Sequence, residues 1–149
     1  MAASQPNVQI FNQTELSIPL NEAHYPHLAA TIAENENSSF SFVEVVYVDE
    51  GEIVRINREH LEHDYVTDII TFRYDDADDK EGIEGTMFCC APRILEQAKE
   101  FSESPEQEFL RIYIHGLLHL VGYDDTTEEL QTQMTAKENT YLALAKKQR

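Results

Sequence analysis

The sequence predicts an α+β fold: a small mixed sheet, mostly of antiparallel hairpins, packed against helices. Two observations carry this. β-branched and aromatic runs come early and three helical patterns come late, and one late helix, around residues 109–121, is apolar on nearly every side and must cross the core. At 149 residues the chain reads as one domain, residues 1–149, long enough to bury a real core.

Taken in order, Val8-Gln9-Ile10-Phe11 is a short strand, and residues 24–33 form a helix with Leu28, Ala29 and Ile32 on one face. Residues 40–48 are a buried strand, which Asp49-Glu50-Gly51 turns into a hairpin partner at Ile53-Val54. Asn57 is expected to cap a short helix ending near Leu61. Residues 68–73 are the next strand, and residues 85–90 return beside it in antiparallel fashion. Between them, Asp75, Asp76, Asp78, Asp79, Glu81 and Glu84 read as a solvated loop without the ligand spacing of an EF-hand. Pro92 opens a helix to Phe101, since a first helical turn tolerates proline. Ser104-Pro105-Glu106 starts the central apolar helix. Thr126, with Glu129 three residues on, starts the last helix as a capping box, and Leu130, Met134, Tyr141 and Leu144 follow on it.

Composition narrows the function. With 11 basic residues against 28 acidic ones the net charge is −17, which excludes a broad basic surface for gripping nucleic acid. No apolar run spans a bilayer and the first residues carry no basic, hydrophobic leader, so a soluble cytoplasmic protein with no membrane partner is expected. Cys89 and Cys90 are adjacent in a strand and face opposite ways, which suits core packing and neither a disulfide framework nor a thiolate zinc site.

The chemistry concentrates in residues 115–125. His115 and His119 lie four apart on one helix face, Gly122 can end the helix with a positive φ, and Asp125 can then return to the same point. Two imidazoles and one carboxylate with an open position match catalytic zinc, where a water of lowered pKa makes hydrolysis the natural reaction class. The competing reading is a buried polar histidine pair with Asp125 as a cap. Thr126 and Glu129 already fit that cap, which leaves Asp125 available. An HExxH protease needs a glutamate where this chain has Gly116, yet the spacing of His115, His119, Gly122 and position 125 matches metzincins, so a metallopeptidase stays as the alternative. Arg111, one turn before His115, either stabilises a phosphate or pairs with an acid. Asp68 and Asp124 are options for orienting a ligand histidine. The pairs His24/His27 and His60/His63 read as surface histidines.

Residues 115–125 resemble the signature H-G-x-L-H-L-x-G-Y-D-H of the YbeY-type rRNA maturation endoribonucleases, with Asp125 replacing the last histidine. Thr67-Asp68-Ile69-Ile70-Thr71-Phe72 is similar to that family's T-D-V-L-S-F strand, with Asn57 upstream and Met134 and Glu138 downstream. The likeness runs from about Val43 onward. It implies a zinc-dependent, single-strand-specific endoribonuclease of the bacterial cytoplasm, acting in 16S rRNA maturation and ribosome quality control. It also implies rRNA, the small ribosomal subunit and ribosomal or assembly proteins as partners. Its metal ligands would be His115, His119 and, by substitution, Asp125, whose charge lowers Lewis acidity and opens the site to other divalent ions. The family arginine is replaced by Leu61, with Arg55, Arg58 and Arg73 nearby as stand-ins, and Gly85-Thr86 replaces a Gly-Asp. These departures motivate a second reading, a non-catalytic ribosome-assembly factor whose metal serves folding.

Overall fold

The computed structural model describes residues 6–74 and 82–147. Four strands, β1 (Asn7–Asn12), β2 (Phe40–Val48), β3 (Ile69–Arg73) and β4 (Ile83–Cys90), form one sheet in the order β1-β2-β4-β3. The helices are α1 (His24–Asn35), α2 (Glu50–Leu61), α3 (Ala91–Glu100), α4 (Pro105–Val121) and α5 (Glu128–Lys147).

The α+β mixed sheet appears as expected, but its pairing differs. β1 runs parallel to β2 and β2 parallel to β4, and only β3 and β4 make the expected antiparallel pair. The hairpin after β2 does not form. Asp49 instead accepts a hydrogen bond from the Glu52 backbone N–H at 3.0 Å and caps α2, whose Ile53 and Ile56 are buried. Freed from a hairpin, β2 takes parallel neighbours on both sides, reached through helical crossovers. Asn57 is therefore not a cap: it lies inside α2, is 1% exposed, and its side-chain amide donates to the Tyr65 carbonyl at 3.0 Å. The acidic stretch from Asp75 to Glu81 falls outside the described residues, while Glu84 lies in β4.

Side chains alternate along the strands, so the sheet serves two cores. α2 covers the smaller one, built on Val46, Val48, Ile70 and Cys90. The larger core takes Val43, Val45, Met87 and Cys89 against the other helices, with α4 at its centre. Cys89 and Cys90 are thus buried on opposite faces, as expected.

Two glycines let α4 lie directly on β3 and β4. A Cβ on Gly85 would come within 2.6 Å of a Leu120 methyl and 2.8 Å of the Phe72 carbonyl oxygen. A Cβ on Gly116 would come within 2.8 Å of the Ile69 Cδ1 and 2.9 Å of the end of Met87. Among the described residues, no helix is long and apolar enough to cross a membrane.

Candidate metal centre

α4 begins where expected. The Ser104 hydroxyl accepts from the Gln107 N–H at 3.1 Å, and Pro105 occupies a first-turn position where no N–H is needed. Three turns on, His115 and His119 stand one above the other with their Nε2 atoms 2.9 Å apart. Gly122 takes φ +116° and ends the helix, its N–H bonded to the His119 carbonyl and that of Tyr123 to the Leu118 carbonyl. The chain then turns back, and the Asp125 Oδ2 lies 3.4 Å from the His115 Nε2 and 3.6 Å from the His119 Nε2. The three expected ligands therefore converge, with one donor atom from each inside a 4.8 Å cluster.

The far side of each imidazole decides what the near side can do. The His115 Nδ1 lies 2.6 Å from the Glu138 Oε2, and the His119 Nδ1 lies 3.0 Å from the Tyr123 carbonyl oxygen. A carboxylate and a carbonyl only accept, so both neutral imidazoles carry their proton on Nδ1 and present a lone pair at Nε2. Two lone pairs 2.9 Å apart beside a carboxylate repel unless a positive charge sits among them. The donor set thus fits a divalent ion such as zinc, with one open position. The surroundings favour positive charge at this point: burial lowers the His115 pKa, but its bond to Glu138, then that group's charge and those of Asp68 and Asp125, outweigh burial and raise it, so a proton competes with an ion for the His115 Nε2.

Arg111 resolves to one of its two expected roles. Its guanidinium donates to the Glu138 Oε1 at 2.9 Å and to the Asn139 Oδ1 at 2.9 Å, so it braces the carboxylate that orients His115. No role for Glu138 follows from the sequence alone. The resemblance singles it out without a role, and a second signal is a carboxylate on the α5 stripe that otherwise buries Met134, Tyr141 and Leu142. Asp68 does not touch a ligand histidine: its side chain accepts from Gln97 at 3.2 Å and its carbonyl from the Cys90 N–H at 2.8 Å. Asp124 stays local, accepting from the Asp125 N–H and the Thr126 hydroxyl. That use of Thr126 moves the helix cap one residue on, where the Thr127 hydroxyl oxygen accepts from the Leu130 N–H.

The departures from the family pattern also find places. Thr86 points to the sheet face away from α4 and donates to Glu44 at 2.9 Å, so position 86 is remote from the histidines. Leu61 is exposed at the end of α2. Arg55 is held between Glu52 and Glu59, Arg58 by Asp64, and Arg73 donates to the Leu120 carbonyl at 3.0 Å near the end of α4. His60 packs on Phe72 and His63 on Tyr65, and neither they nor His24 and His27 join a metal-ligand cluster among the described residues. Gly116 weighs against the peptidase, because any side chain there points into Ile69 and Met87, away from the ligands, and no glutamate base fits.

Known proteins share this arrangement of chain. The solution structure of TM1509 from Thermotoga maritima superposes with a TM-score of 0.60 at 26% identity, covering 93% of this chain and 88% of that one. The protein named Endoribonuclease YbeY in Chlorobaculum tepidum is 38% identical over 135 residues, 91% of this chain and 95% of its own. Its namesake in Chlorobium limicola is 39% identical over 135 residues, 91% and 90% of the two chains. The family model described as Endoribonuclease YbeY matches residues 9–146, a span that takes in nearly all of the sheet, α4 and both imidazoles, and the chain belongs to that family of hydrolytic nucleases.

Proposed function

We propose that this protein is a zinc-dependent, single-strand-specific endoribonuclease that works in the cytoplasm on 16S rRNA, in small-subunit maturation and ribosome quality control. The observation that supports the metal reading is the pair of Nε2 lone pairs, each fixed by a partner on its own Nδ1, facing Asp125. When bound, the ion supplies Lewis acidity and lowers the pKa of a water at the open position. The residues do the rest. His115 and His119 hold the ion through Nε2, Glu138 and the Tyr123 carbonyl fix their rings, and Arg111 keeps Glu138 in place. Asp125 contributes an oxygen where the family signature has an imidazole, so the site accepts manganese or another hard divalent ion more readily than three histidines would.

A net charge of −17 gives little phosphate neutralisation, so bare RNA binds weakly and with a shallow salt slope, and affinity comes from the ribosomal subunit and its proteins. The test compares wild type with the His115→Ala, His119→Ala double variant on single-stranded RNA with defined added metals. Cleavage falls at least about 100-fold in the double variant, and equal rates would remove these residues from catalysis. Leu61 in place of the family arginine favours a second reading, an assembly factor with a structural ion. Chelation separates the two: an enzyme site loses cleavage with its circular dichroism intact, whereas a structural site loses the fold.

A further inference from the structure

We propose that Glu36, at the end of α1, is a positioning residue of the metal centre, pinning through Tyr123 the turn that presents Asp125. The inference rests on the metal reading above. Glu36 is distant in sequence and touches no ligand, yet its side chain is 9% exposed and gathers three donors. The Tyr123 hydroxyl donates to its Oε1 at 2.6 Å, while Lys137, at 3.1 Å, and the Tyr141 hydroxyl donate to its Oε2.

Tyr123 is used at both ends. Its hydroxyl is held by Glu36 and its carbonyl accepts from the His119 Nδ1, so one residue transmits the position of α1 to a ligand imidazole. Lys137 adds a cation 5.6 Å from the centre of the same ring. Among the described residues the turn has few other anchors. Beyond the bonds that close α4, Asp124 bonds only within the turn, and the Asp125 side chain is 38% exposed, the most exposed of the three ligands. α5 thus serves both histidines, with Glu138 on His115 directly and Lys137 and Tyr141 on His119 by way of Glu36 and Tyr123.

The full chain is tested as wild type, Tyr123→Phe, Glu36→Ala and the double variant, by Zn2+ competition against a chromophoric chelator. Each single variant binds Zn2+ about tenfold more weakly, as loss of an outer orienting partner does elsewhere. The double variant is no weaker than Glu36→Ala, because both changes break one path. Ile53→Val, in the small core across the sheet, lowers the Tm and leaves Zn2+ affinity unchanged. NMR of the metal-free protein reads the turn independently: His119 is the Nδ1–H tautomer in wild type and a mixture in Tyr123→Phe, which also covers the case that Glu36→Ala fails to fold. Wild-type Zn2+ affinity and an unchanged His119 tautomer in Tyr123→Phe would make Glu36 a structural tie alone and overturn the proposal. A wild type that binds no Zn2+ would instead overturn the metal reading, with the tautomer still reporting on Glu36.

Discussion

The two halves of the candidate centre are built differently. His115 and His119 ride on a central helix that touches the sheet through Gly85 and Gly116, whereas Asp125 rides on a short turn held at its rim by side chains from α1 and α5. One half is fixed by close packing and the other by a few polar contacts. Packing is stiff, because a shift of a few tenths of an ångström in a dense interior loses contact on one side and creates overlap on the other. Polar ties at a half-exposed turn are softer, so the centre has a rigid floor and an adjustable wall.

The strongest break in this contrast is Gly116→Glu. It forces a carboxylate into Ile69 and Met87, with a cost above about 3 kcal/mol from overpacking and unpaired burial. Urea unfolding should show that loss, and the chain should gain no peptidase activity. Glu138→Ala comes next: His115 keeps its place on the helix but loses the acceptor that fixes its ring, so Zn2+ affinity falls about 10- to 100-fold with a smaller change in Tm. Asp125→His acts on the soft wall. It restores the imidazole of the family signature, raises Lewis acidity by removing one negative charge, and shifts metal preference from Mn2+ toward Zn2+ by less than about tenfold, measured by competition. The smallest effect is a pH effect at Glu36. Burial raises its pKa, but the hydroxyls of Tyr123 and Tyr141 and the Lys137 ammonium outweigh burial and lower it. Its contribution to stability is therefore present above the ordinary carboxylate value of about 4.3 and is lost as pH falls through the lower folded value. Wild type and Glu36→Gln should differ in stability near pH 6 and converge in acid.

The same division governs what could be read from the residues alone. The rigid half is local: two histidines a turn apart, an apolar helix and a terminal glycine all lie within a few residues of one another. Asp49-Glu50-Gly51, read as a hairpin turn, starts α2 instead, because burial of Ile53 and Ile56 in the second core favours a helix there. With that hairpin went the expected antiparallel pairing, since strand order depends on contacts between segments distant in sequence. The outer partners were hidden for the same reason. Glu138 at least breaks an apolar stripe, whereas Glu36 sits among polar residues at a helix end and shows its use only when α1 meets the turn after α4.

The two glycine contacts beneath α4, Gly85 with Leu120 and Gly116 with Ile69 and Met87, also govern which substitutions the centre tolerates. A side chain added at either glycine would shift both histidines together or cost the fold, so that side of the molecule tolerates little change. Change is tolerated better at the rim, where Asp125 is the most exposed of the three ligands.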